Sequence, residues 1–119
     1  MNESQKLGIH GEQLATQYLK KLGHQIIEKN YRCALGEIDI VSTHQEYLIF
    51  SEVKTRQGTT NIHPSQAVGW KKQKKLQQLG QYYLQEKKIQ NKQPRFDVIA
   101  VQIIANQKKP IIEHFINAF

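Results

Sequence analysis

Two short stretches limit what this chain can become: Gly36-Glu37-Ile38-Asp39-Ile40-Val41 and Phe50-Ser51-Glu52-Val53-Lys54. Both set β-branched or aromatic residues in alternation with polar ones, which predicts β-strands. Side chains at i and i+2 of a strand share a face. Glu37 therefore lies with Asp39, and Glu52 lies with Lys54. Thr43-His44-Gln45-Glu46 is a polar connection short enough to join the strands as an antiparallel hairpin. Such a hairpin brings three carboxylates and one ammonium to one side of a sheet. Ile38, Ile40, Ile49, Phe50 and Val53 make both strands apolar enough to be buried. Buried charge is costly unless it is paired or holds a metal.

The rest of the chain supplies elements to cover that hairpin. Residues 4–22 read as an amphipathic helix, with Ser4 as N-cap and Gly23 as stop. Leu7, Gly11, Leu14, Ala15, Tyr18 and Leu22 fall on one face. Gly8 and Gly11 permit close approach of another backbone. Glu12 sits at the border of the apolar stripe and by itself reads as a flanking surface carboxylate. Residues 25–32 read as a strand, 33–36 as a turn and 57–64 as a polar loop beside the hairpin. A second helix is predicted from near Ser65 to about Lys88. Its lone Trp70 has two readings, stacking on a base or packing on the sheet, and packing is the commoner fate. Residues 95–104 alternate as a central strand, and Ile111–Phe115 reads as a last strand at an edge. The order αβββαββ predicts an α/β protein: a mixed sheet flanked by two helices.

At 119 residues the chain is expected to form a single domain over residues 1–119. Its 39% hydrophobic and 23% charged content excludes the disordered class. No apolar run approaches the ~20 residues a bilayer span needs, and the N-terminus lacks a signal-peptide pattern. One cysteine, Cys33, excludes an internal disulfide and makes a cytoplasmic location the simplest reading. The net charge of +7 is concentrated. Residues 71–95 hold Lys71, Lys72, Lys74, Lys75, Lys87, Lys88, Lys92 and Arg95 against Glu86 alone. Phosphate backbones are the commonest partner of such a patch; a solvated helix face is the other reading. His10, His24, His44, His63 and His114 form no ligand spacing, although His63 in the polar loop is placed to touch a substrate.

Asp39 and Glu52-Val53-Lys54, with 12 residues between Asp39 and Glu52, form a D-x(n)-E-x-K arrangement. Metal-assisted phosphodiester hydrolysis needs this set. Two carboxylates on adjacent strands can hold a hard divalent cation, Mg²⁺ or alternatively Mn²⁺, with the Val53 backbone carbonyl as an additional ligand. The cation lowers the pKa of a bound water and offsets charge developing at phosphorus. Lys54, on the same strand face, orients the water or stabilises the transition state. The competing reading is a Glu-x-Lys ion pair on an ordinary strand face.

The Asp39 and Glu52-x-Lys54 pattern resembles the signature of the restriction-endonuclease-like nuclease superfamily. A wider set of residues is similar to the YraN-type uncharacterised bacterial family: Gly11-Glu12, Ala15, Tyr18-Leu19, Gly23, Asn30-Tyr31-Arg32, Gly36 to Val41, Glu52 to Arg56, Lys72-Gln73, Leu76 and Arg95-Phe96-Asp97-Val98. The resemblance implies a restriction-endonuclease-like mixed sheet and an activity as a metal-dependent endonuclease on DNA, extending to branched or structured DNA as in Holliday-junction resolvases. It implies Asp39 and Glu52 as metal ligands, Lys54 as catalytic, and Glu12 as a metal-site carboxylate acting through water. Glu37 becomes an acid that supports the metal ligands or binds a second metal. Arg56 and Lys72 become phosphate contacts, within the same basic track as Lys71 and Lys75. The resolvase likeness also implies a homodimer, since two linked cuts need two sites. For Asp97, a structural pairing with Arg95 or Arg32 is the reading put first. Ser51 stands where the family more often has an apolar residue, which affects packing. Two other functions stay open: a nucleic-acid-binding protein that keeps the fold without catalysis, and a scaffold whose charge serves solubility.

Overall fold

A computed structural model describes residues 1–58 and 68–119. The elements run α1 (Glu3–Lys21), β1 (Gln25–Cys33), β2 (Gly36–His44), β3 (Tyr47–Gln57), α2 (Trp70–Glu86), β4 (Gln93–Ile103) and β5 (Ile111–Phe115). The expected αβββαββ order is the observed one. The five strands form one sheet in sequence order, β1-β2-β3-β4-β5. Pairings are antiparallel except β3 with β4, which run parallel because the α2 crossover separates them. β5 lies at an edge, as its sequence suggests.

Local chemistry explains the boundaries. The α1 N-cap is Asn2, two residues before the expected Ser4. Asn2 Oδ1 accepts from Gln5 N at 2.8 Å, and Asn2 N donates to Gln5 Oε1 at 3.1 Å. This reciprocal capping box needs a cap and a residue three positions later that can reach back, and Asn2 with Gln5 supply both. Glu3 in the first turn and Lys20 and Lys21 in the last complement the helix dipole. Gly23, at φ +97°, ends the helix in the left-handed region, as expected. The expected start of the second helix near Ser65, and His63, lie outside the described residues.

The two helices cover opposite faces of the sheet. Along β4, Phe96, Val98 and Ala100 pack under α2 with Leu76, Leu79 and Tyr83, while Ile99 and Val101 pack under α1 with Ala15 and Leu19. The same alternation on β3 fixes where its charged residues point. Phe50, Glu52 and Lys54 register with Phe96, Val98 and Ala100, so they belong to the α2 face; Val53 joins the α1 cluster. α1 sits so close to β3 that a Cβ at Gly11 would collide with the Thr55 side chain. Gly11 thus provides the close approach expected of it. Gly8 has nothing within 4 Å and does not.

Candidate functional site

The site arises where two paired strands part. The β2–β3 ladder holds from His44↔Tyr47 to Ile40↔Ser51 and no further. Beyond that rung β2 continues only with β1, as far as Gly36, and β3 continues only with β4, as far as Gln57. The next residues on each side of the fork are Asp39 and Glu52. Val53 N–H, which a continuing ladder would have used, instead donates to Asp39 Oδ2 at 2.8 Å. A side chain thereby satisfies a backbone donor that the divergence would leave unpaired.

Glu52 is 6% exposed, and its Oε1 accepts from Lys72 Nζ of α2 at 2.8 Å. Burial raises the Asp39 carboxyl to about 7; the adjacent Glu52 charge adds to the rise, and the Val53 N–H opposes it. Glu12 approaches from α1. Its carboxyl is raised mainly by burial, with Glu37 and Glu52 contributing, against a hydrogen bond from Asn30 and the charge of Lys29. Burial pulls the Lys72 ammonium down, but the hydrogen bond to Glu52 and the charges of Glu52, Asp39 and Glu37 outweigh it, and its pKa is raised. Three carboxylates thus share one negative field, and a lysine answers it.

Lys54 lies on the same strand face as Glu52 and is half-buried. No ion pair or hydrogen bond joins its ammonium to another described residue. Glu37 stands apart from the Asp39–Glu52 pair: its Oε2 lies 3.0 Å from Arg32 Nε in an ion pair on an exposed part of the fork. Arg56 is exposed near the end of β3. Lys71, Lys72 and Lys75 line a concavity together with Glu37, Leu76 and Leu79. Trp70 is 62% exposed with Lys74 Nζ 4.6 Å from its ring centroid, so the expected packing on the sheet does not occur.

The donor set suits one kind of cation. Among the described residues no three His, Cys, Asp or Glu side chains are gathered into a metal cage. Asp39 and Glu52 offer two carboxylates, Val53 a backbone carbonyl, and Glu12 a more distant carboxylate. Mg²⁺ binds in this way, through one or two carboxylates with waters completing its shell. The rise of the Asp39 carboxyl beside Glu52 marks a place that a cation would relieve.

Asp97 belongs to a different structure. Its carboxylate is fully buried and accepts from Arg95 Nε at 3.0 Å, Arg95 Nη2 at 2.9 Å and Asn117 N at 3.0 Å; His114 Nε2 lies 2.7 Å away. Its carboxyl is lowered because these bonds outweigh burial. Arg95 is the partner, and the pairing is structural, as expected. Ser51, opposite Asp97 in the β3–β4 register, is buried, and its Oγ has no partner among the described residues.

Sequence reasoning missed three features. The Lys72–Glu52 bridge, the Asn30 bond to Glu12 and the grouping of His24, His44 and His114 near Asp97 all join residues distant along the chain. Only Asn30 leaves a trace, as an Asn able to take the positive φ of 54° found there.

An α/β sheet with acids at a strand fork and a basic helix beside them defines the class: a mixed-sheet protein compatible with the restriction-endonuclease-like fold. The chain belongs to the uncharacterised protein family UPF0102, whose sequence pattern matches residues 11–101, and this is the YraN-type family that its motifs resemble. It is 44% identical to a UPF0102 protein of Syntrophotalea carbinolica over 95% of this chain and 90% of that one. It is 45% identical to a UPF0102 protein of Alkaliphilus oremlandii over 98% and 99% of the two chains. A UPF0102 protein of Rhodococcus opacus is 40% identical over 95% of each. Among the described residues no helix is long and apolar enough to cross a membrane.

Proposed function

We propose that this protein is a metal-dependent endonuclease that hydrolyses DNA phosphodiester bonds, with branched or structured DNA as its class of substrate. The observation that carries the reading is the meeting of Asp39 and Glu52 at the fork, with Lys54 on the Glu52 face and the α2 lysines alongside. Asp39, Glu52 and the Val53 carbonyl would hold Mg²⁺ or Mn²⁺, with Glu12 acting through water; the cation supplies an activated water and charge neutralisation at phosphorus. Lys54, on the Glu52 face of β3, would orient the attacking water or stabilise the developing charge. Burial around Glu52 and Asp39 excludes bulk water and strengthens each of these interactions. Arg56, Lys71, Lys72 and Lys75 carry the strand, and Lys72 is the link because it touches Glu52 directly. A homodimer working in the cytoplasm completes the reading; sedimentation tests the dimer.

The experiment is nicking of supercoiled plasmid and cutting of a four-way junction with Mg²⁺ or Mn²⁺. Lys54→Ala is expected to cost about 10²–10³ in rate, the effect of removing one preorganised charge-stabilising donor. Asp39→Asn is expected to abolish cutting. Activity that survives both variants would sink the assignment. One observation favours a second reading, a DNA-binding protein without catalysis: Glu52 already has a cation in Lys72. Salt-dependent DNA binding with no cutting under either metal would establish that reading instead.

A further inference from the structure

The concavity between the start of β2 and α2 combines two surfaces that do not ordinarily meet. Leu76 and Leu79, both largely buried, line its apolar floor together with Lys71, Lys72 and Lys75, and Glu37 also lines it. Its volume is about 330 Å³, which reaches the lower end of the ~300–1,000 Å³ range of small-ligand sites. Three cations favour an anion, but a bare anion has no use for a leucine floor. The occupant that satisfies both has a flat apolar part and a phosphate, as a nucleotide does.

Three details narrow it further. Lys72 lines the concavity, and its ammonium also reaches Glu52 Oε1, so a phosphate beside this occupant lies next to the fork. Gly36 stands beside two of the lining residues: a Cβ there would lie 3.3 Å from both Leu79 Cδ1 and Lys75 Cε. A side chain at 36 would therefore press on both of them. Arg32 Nε engages Glu37 Oε2 at 3.0 Å and leaves Oε1 without a partner among the described residues, as an acceptor on the rim. A carboxylate acceptor selects a base that presents an exocyclic amine, as cytosine does through N4. Inside a duplex that base is stacked and paired, so it must be unpaired to enter.

We propose that this concavity binds one unpaired, amino-bearing nucleobase of a DNA strand, seated on Leu76 and Leu79, read by Glu37, and placed beside the phosphate that the fork engages. The proposal rests on the nucleic-acid reading above and names its substrate class: DNA with an extrahelical nucleotide next to the cut. Lys71 and Lys75 hold the flanking phosphates, and Glu37 sets base preference.

The test is fluorescence anisotropy with labelled hairpin duplexes in EDTA, where no cutting takes place. The probes are a fully paired duplex and the same duplex with one bulged cytosine, thymine or abasic nucleotide. Wild type is expected to bind the cytosine bulge at least about fivefold tighter than the other three, which corresponds to one modest base-reading contact. Glu37→Gln should erase the preference for cytosine over thymine, and Lys71→Ala with Lys75→Ala should weaken all four probes alike. Circular dichroism melts establish that each variant is folded. An abasic bulge bound as tightly as cytosine overturns the proposal, as does discrimination that persists in Glu37→Gln. Binding of none of the probes overturns it together with the nucleic-acid reading. Discrimination without cleavage on adding Mg²⁺ upholds the pocket and removes the nuclease reading; cleavage without discrimination does the reverse.

Discussion

Two aspartates on the strands that flank β3 sit in the same protein with opposite fates. Asp97 on β4 is fully buried and meets a guanidinium, an imidazole and a backbone N–H, so its carboxyl lies below the usual carboxylate value. Asp39 on β2 meets one backbone N–H and faces the charge of Glu52, so its carboxyl rises to about 7. Burial pushes both upward; the partners decide the outcome. A carboxylate whose acceptors are filled serves the fold. A carboxylate left short beside a second one is a cost that the fold gains nothing from, and such sites concentrate where chemistry is done. The difference separates the structural pole of the sheet from its candidate functional pole.

The sharpest way to break this contrast is to delete each carboxylate and weigh the result. Asp97→Ala strands Arg95 in a buried position, and such losses run to about 3–5 kcal/mol; urea unfolding should show a stability drop of that size. A loss below about 1 kcal/mol would mean that the network is no more than a surface pairing.

Next in size is an acid effect at the structural pole. His24 is packed against His44 with ring centroids 4.5 Å apart, and its Nδ1 lies 3.0 Å from Ser42 Oγ. Burial first, then His44, His114 and Arg95, lower its pKa to about 4, with Asp97 opposing. The folded value lies below the unfolded 6.5, so the folded state favours neutral imidazole. This stability is full above pH 6.5 and is lost as pH falls from there towards 4. The loss is expected to be on the order of 1–2 kcal/mol, and His24→Asn should flatten that limb of the melting-temperature profile.

Asp39→Asn should act in the opposite direction to Asp97→Ala. At pH 8 it removes one of two adjacent negative charges and is expected to stabilise the metal-free protein by about 1 kcal/mol while abolishing cutting, the usual trade at a working site. Added Mg²⁺ should raise the melting temperature of wild type but not of this variant. A destabilised Asp39→Asn would place Asp39 with Asp97 as a structural carboxylate.

The smallest effect concerns the lysine that answers the negative field. Lys72→Ala is expected to cost the metal-free protein about 0.5–1 kcal/mol, since its partner Glu52 is buried but the lysine is half-exposed. Calorimetry should show Mg²⁺ binding a few-fold more tightly in the variant, because a competing cation is gone. Weaker Mg²⁺ binding would show that Lys72 assembles the site instead of screening it.

How legible this was depends on distance along the chain. The β2 and β3 strands, their short connection and the pairing of Asp39 with Glu52 are written within residues 36–54, where alternation speaks directly. The element order follows from such local patterns. The fork itself is not local: nothing in Asp39-Ile40 announces that the ladder ends there, because that depends on contacts between segments distant along the chain. The Glu37-with-Asp39 alternation suggested that both acids converge on Glu52; Arg32, paired across the hairpin, holds Glu37 elsewhere. Trp70 and Lys74 lie one helical turn apart, and their contact explains how an indole stays on the surface. The histidines have no ligand spacing along the chain, and the fold gathers His24, His44 and His114 for packing and hydrogen bonding.

At Gly11 the position of a helix is set by something missing. Because residue 11 has no side chain, α1 rests on Thr55 with backbone against strand, and the very next residue is Glu12. Any larger residue at 11 would act as a shim, lifting the helix and carrying Glu12 with it. The distance from that carboxylate to the fork is thus gauged by the thickness of a hydrogen atom, at a residue that performs no chemistry.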